Sequence, residues 1–203
     1  MSDARRIVLL RHGRTAWNAE HRIQGQLDVE LDEVGIEQAR AVAPLVAALA
    51  PTLVWSSDLA RARLTAETVA KASGLEPSYD ERLREFHLGD YQGMSHAELA
   101  DQDPAAYAQF RRGEWDEIPG AESPSAVAAR FTAVLRALAA ELEPGGTGVA
   151  VTHGAASRTG LVAFLGWPLS TASDLPPVVS RLVQRRMPQM VRRRLLIRLG
   201  DAQ

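Results

Sequence analysis

IVLLRHGRTAWN, residues 7–18, is the stretch on which the fold turns. Its first four residues are apolar and rich in β-formers, so they read as a buried strand over 6–10. The strand stops abruptly at Arg11-His12-Gly13. Two other predicted strands end in a similar way. TGVAVTHG (147–154) closes on His153-Gly154, and TLVWSS (52–57) runs into DLAR, which carries Arg61. Helical spacing follows each of the three. One helix is predicted over 32–50 with Asp32 as its N-cap, one over 62–74 closed by Gly74, and one over 157–166 closed by Gly166. Ser57 or Asp58 is the expected cap of the second. Pro44 is expected to kink or end the first. The clearest amphipathic helix is 125–142, and Pro144-Gly145-Gly146 ends it.

Strands that alternate with helices imply parallel pairing. The expected fold is a three-layer α/β/α sandwich with a mostly parallel central sheet. The 203 residues fit one domain. Between about 86 and 124 the periodicity fails, and Gly, Pro, aromatics and charge accumulate. That segment is expected to be a small inserted cap over the sheet. Composition narrows the function classes further. The chain has no Cys, which removes thiolate metal sites and cysteine nucleophiles. A net charge of −2 gives no reason to expect a nucleic-acid partner. No run approaches the ~20 apolar residues of a membrane span, and no secretory h-region is visible. A cytoplasmic location is the expectation.

Parallel strands deliver their last residues to one edge, where ligands bind in open α/β sheets. Arg11, His12, Arg61 and His153 are therefore expected to converge. A single His after a strand is usually a surface residue, and a single Arg a solvated charge; their joint occurrence is the signal. Zinc held by the two histidines with Glu85, His87 or Asp90 is one reading. Two permanently charged arginines argue against it, because their planar forks suit phosphate or carboxylate. The pocket is suited to an anion, best a dianion. A neutral imidazole there can attack phosphorus, and a protonated second His can stabilise the charge. The leaving alkoxide needs a proton from a carboxyl whose pKa is raised by burial. Glu85, flanked by Leu83 and Phe86, is the candidate; an ordinary surface Glu is the competing reading.

LLRHGRTAWN (9–18), SSDLARARLTAE (56–67), LREFHLGDYQG (83–93) and VTHG (151–154) occur in this order. Together they resemble the motifs of the histidine phosphatase superfamily, the phosphoglycerate mutase-like phosphatases. The resemblance covers roughly residues 5 to 168. It implies His12 as nucleophile and Glu85 as proton donor, with Arg11, Arg61 and His153 as phosphate ligands. Asn18 would also lie at the phosphate, and Thr15 and the Gly154 backbone are weaker candidates. No metal and no cofactor are implied. RIQGQLDVELDEVG (22–35) and 82–99 are similar to the actinobacterial glucosyl-3-phosphoglycerate phosphatases of that superfamily. By that resemblance Gln24 touches substrate, and Arg111 and Arg112 either meet a carboxylate or are simply solvated. The implied activity is hydrolysis of a small phosphorylated metabolite through a phosphohistidine. A mutase with the same intermediate and a catalytically impaired anion-binding module are the alternatives. A homodimer is left open.

After about residue 176 the family pattern fails. Seven arginines and no acid lie between 181 and 198. Three readings compete for this tail: an edge strand at RRLLIRL (193–199) with charged flanks, a basic amphipathic tail for an anionic surface or partner, and the product of a shifted reading frame.

Overall fold

The strand expected over 6–10 runs from Arg5 to Arg11 (β1) in the computed structural model, which describes residues 4–175 and the backbone of 196–199. β2 is Leu53–Ser56, β3 Pro77–Tyr79, β4 Thr147–Thr152 and β5 Leu196–Leu199. They form one sheet in the order β3-β2-β4-β1-β5. β1, β2, β3 and β4 are parallel, and β5 runs antiparallel along β1. The edge-strand reading of the tail coincides with β5. Residues 176–195 and 200–203 lie outside the described residues.

The helices are α1 (Ala16–Ala19), α2 (Glu33–Ala47), α3 (Ala60–Ser73), α4 (His96–Gln102), α5 (Pro104–Arg112), α6 (Pro124–Glu141) and α7 (Gly154–Phe164). Successive strand residues point to opposite faces of a sheet. Val8 and Leu10 of β1 and Val149 and Val151 of β4 pack with Val42 and Val46 of α2 and Ala66 and Val69 of α3. Ile7 and Leu9, with Ala150, pack on the other face with Phe131 and Leu135 of α6 and Leu161 of α7. The result is the expected three-layer α/β/α sandwich. Burying each of these large side chains stabilises the fold by about 1.5–3 kcal/mol before chain entropy is counted.

Asp32 caps α2 as expected, accepting the Gly35 N–H at 2.7 Å. Pro44 does not end α2: it sits in the last turn, and Ala48 N–H still bonds its carbonyl. Gly74 closes α3 with a φ of 70°. The start of α3 departs from expectation, because neither Ser57 nor Asp58 is its N-cap. Leu59 holds that position without a side-chain bond, and Asp28 takes the Ala60 N–H at 2.6 Å from a neighbouring loop. Asp58 instead pairs with Arg84. Segment 86–124 contains α4 and α5, which periodicity did not reveal. Its Phe86, Leu88, Leu99 and Ile118 join the core on the α6/α7 face.

Two adjacent strands set up the site. The chain leaves β1 toward α2 on one face and leaves β4 toward α7 on the other. The crevice between such diverging connections is where α/β sheets take ligands.

Candidate active site

His12 follows β1 directly, and its N–H bonds the Thr152 carbonyl at 3.0 Å, so it continues the β1–β4 register. The turn after it is crowded. A methyl on Gly13 would overlap the Gly35 carbonyl oxygen and lie 3.0 Å from the carbonyl carbon, so β1 and α2 meet backbone to backbone. Gly13 N–H donates to Thr65 Oγ1 at 3.2 Å, and that hydroxyl donates to the Arg61 carbonyl at 2.8 Å. The β1 end and α3 are thereby locked together. His12 Nδ1 lies 2.6 Å from the Gly13 carbonyl. An oxygen there requires the proton on Nδ1, which leaves the lone pair on Nε2. Nε2 makes no hydrogen bond among the described residues.

His153 holds the N-cap position of α7 without a side-chain capping bond and is fully buried. Its ring centroid lies 5.1 Å from that of His12. Its Nε2 is 2.9 Å from Ser57 Oγ, at the end of β2, while Nδ1 is buried without a partner. Arg61 is also buried. It donates to the carbonyls of Gly25 (2.7 Å) and Leu27 (2.8 Å), which shapes the loop holding Gln24, and its Nε has no partner. Arg11 Nε is likewise buried and unpartnered, and a methyl added at Gly154 would lie 3.4 Å from it. Thus Arg11, His12, Arg61 and His153 do come together at the sheet edge.

Glu85 joins them from the loop before the cap segment. Its carboxylate accepts N–H bonds from Ala155 (3.0 Å) and Ala156 (2.7 Å), at the N-terminus of α7, and from Phe86 (3.0 Å). Leu83 and Phe86 do not wall it in, contrary to expectation. Both turn into the core, and the carboxylate faces backbone donors. Thr15 and Asn18 form a capping box on the short α1, with Thr15 N–H donating to Asn18 Oδ1 at 3.1 Å. The Thr15 hydroxyl donates to Gln24 Oε1 at 3.0 Å. The amide NH2 groups of Asn18 and Gln24 make no hydrogen bond among the described residues. Thr15 is therefore a buried organiser of the loop rather than an open ligand.

Charge in this pocket is unbalanced toward positive. Burial, then the Arg61 and Arg11 charges, hold the His12 pKa well below the ordinary imidazole value. Burial, Arg61 and His12 do the same to His153. Burial and the arginine charges favour the neutral form of both rings in the free site, against the expected protonated second imidazole. Burial lowers Arg61 to about 10 against the opposing pull of Glu85 and Asp28. A bound dianion would oppose each of these shifts.

The zinc reading loses its further ligands. His87 is held by the Gly120 carbonyl at 2.9 Å, and Asp90 is exposed. No group of three metal-ligating side chains occurs among the described residues. Arg112 pairs with Glu114 at 2.7 Å on the surface of α5, and Arg111 is exposed.

Two supports went unread in the sequence. Ser57 fixes the His153 ring; its sequence marked it only as a candidate helix cap. Arg130, on α6, donates to the carbonyls of Arg82, Arg84 and Glu85 and to both oxygens of Glu122. No local pattern marks it.

The family model for the histidine phosphatase superfamily (branch 1) matches residues 7–183. The chain is 43% identical over 169 residues to the glucosyl-3-phosphoglycerate phosphatase of Mycobacterium tuberculosis, covering 80% of this chain and 74% of that one. A solved mycobacterial glucosyl-3-phosphoglycerate phosphatase complexed with VO3 superposes with a TM-score of 0.81 at 40% identity, over 86% of this chain and 87% of that one. A phosphoserine phosphatase from Entamoeba histolytica in complex with 3-phosphoglyceric acid matches with a TM-score of 0.72 at 30% identity, over 85% of each chain. Among the described residues no helix is long and apolar enough to cross a membrane. Sequence, sheet order and strand-end chemistry agree, and the chain belongs to the histidine phosphatase superfamily.

Proposed function

We propose that the chain hydrolyses a small phosphomonoester through a phosphohistidine on His12, with glucosyl-3-phosphoglycerate as the leading substrate. The observation that carries this is the His12 ring. Its Nδ1 is committed to the Gly13 carbonyl, and its Nε2 stands unbonded among unpartnered cationic donors. In the first step the Nε2 lone pair attacks phosphorus, and the ester P–O bond breaks with its electrons on the leaving oxygen. Glu85 supplies the proton to that oxygen. Arg11, Arg61 and the His153 N–H stabilise the equatorial oxygens, and the free amides of Asn18 and Gln24 add two donors. In the second step Glu85 removes a proton from water, the oxygen attacks phosphorus, and the P–N bond electrons return to His12. Inorganic phosphate leaves and the enzyme is regenerated.

The substrate name comes from the relatives, which match this chain over most of its length. Segment 86–124 acts as the cap that selects the leaving group.

The test is phosphate release from a panel that includes glucosyl-3-phosphoglycerate and 3-phosphoglycerate, for wild type and His12→Ala. Release that favours the glucosylated ester and vanishes in His12→Ala is expected. Wild-type rates in His12→Ala would sink the mechanism. Isomer interconversion without phosphate release would make the chain a mutase.

A further inference from the structure

Four buried side-chain nitrogens lack a hydrogen-bond partner among the described residues: Arg11 Nε, Arg61 Nε, His153 Nδ1 and Arg158 Nε. The first three face the proposed phosphate chemistry. The mechanism does not use the fourth. The Arg158 side chain forms no ion pair or hydrogen bond among the described residues. It lies on α7, four residues after Gly154, and residues so spaced share one helix face. Long helical side chains lean back toward the N-terminus, here toward the turn that Gly154 opens. A methyl added at Gly154 would lie 3.4 Å from Arg11 Nε, so this turn of α7 runs beside the Arg11 guanidinium. Arg11 also registers the neighbour: after burial and the opposing pull of Glu85, the Arg158 charge lowers its pKa.

Charge then decides what Arg158 takes. Once Glu85 carries the proton for the leaving oxygen, it no longer offsets the guanidinium charges of Arg11 and Arg61, beside which Arg158 adds a third. Asp28, the other carboxylate acting on Arg61, is exposed and already engaged by Ala60 N–H. A phosphomonoester dianion balances two of the three positive charges. We infer that Arg158 is a specificity residue that binds a second anionic group, a carboxylate, on the leaving portion of the phosphomonoester. This rests on the proposed phosphatase reading.

The experiment measures competitive inhibition of p-nitrophenyl phosphate hydrolysis by 3-phosphoglycerate and by glycerol 3-phosphate. The second ester replaces the carboxylate with a CH2OH group. Wild type should bind 3-phosphoglycerate more tightly by about tenfold or more, the worth of a charged hydrogen bond. Arg158→Gln should collapse that ratio toward one, and Arg158→Lys should keep part of it. A wild-type ratio near one overturns the inference, and this arm needs no variant to fold. An unchanged ratio in Arg158→Gln also overturns it, even if both constants worsen together; Arg158 would then be a positioning residue. No hydrolysis of p-nitrophenyl phosphate by wild type would instead overturn the phosphatase reading itself.

Discussion

Replacing Arg130 by Met tests whether Glu85 is held from behind. Arg130 Nε and one terminal nitrogen each bond Glu122 at 2.9 Å. The terminal nitrogens also reach the carbonyls of Arg82 (2.9 Å), Arg84 (2.7 Å) and Glu85 (2.9 Å). Glu122 in turn accepts the His87 N–H at 2.8 Å and the Gln26 amide at 3.1 Å. The pair is largely shielded, with side-chain exposures of 17% and 26%. Breaking a fully buried pair costs about 3–5 kcal/mol, and each charged hydrogen bond is worth about 1.5–3. Water can reach part of this cluster, so Arg130→Met should cost about 2–4 kcal/mol in urea unfolding. The loosened 82–85 segment should also misplace Glu85. Turnover of alkyl phosphates should then fall by about tenfold or more, since ångström-scale misplacement is costly. Adding Glu122→Gln removes the stranded carboxylate. The double variant should therefore lose about 1–2 kcal/mol less than the sum of the singles. A loss below about 1 kcal/mol, or strict additivity, would refute the network argument. Full alkyl-phosphate turnover in a destabilised variant would refute the link to Glu85.

Glu85→Gln should slow alkyl phosphates by about a hundredfold or more and p-nitrophenyl phosphate far less, because the aryl oxide leaves without a proton. Equal losses on both would remove Glu85 from the acid role. Stability should fall as pH drops below about 6.5. His12 and His153 have depressed pKa values in the folded state, so between those values and 6.5 the unfolded chain binds more protons. Their contribution is fully present above 6.5 and is lost as pH falls through the folded values. Urea unfolding across this range should show a shallower slope for His153→Asn, and equal slopes would contradict the assignment. Gly160→Ala should destabilise by about 3 kcal/mol, an overpacking cost well above the helix-propensity gain of about 1. The new methyl would overlap the Phe131 ring and lie 2.7 Å from its Cβ, and Phe131 is wholly buried. An unchanged thermal midpoint would show that the ring can move aside.

The elements read best were those whose residues repeat at the period of their own backbone. β1, β4 and α6 emerged within a few residues because strand alternation and helical spacing are local properties. β3 escaped because it has three residues, of which Ser78 and Tyr79 are exposed, leaving no buried face to read. α5 escaped for the same reason: it buries no residue fully. The catalytic candidates were legible because parallel strands bring their ends to one edge whatever the loop lengths.

The sequence by itself thus determined the parallel α/β architecture and the identity of Arg11, His12 and His153 at its strand ends and of Arg61 in the helix that follows β2. Those features follow from side-chain period and strand direction, which act over a handful of neighbouring residues. Only the tertiary structure decided how the site is supported. His153 meets Ser57 across 96 positions, Ala156 N–H donates to the Glu85 carboxylate across 71, and Arg130 reaches the Glu85 carbonyl across 45. Such partners are chosen by the packing of whole layers and by the need to pair every buried donor and acceptor. That condition holds over the entire core at once, so no short stretch of residues can express it.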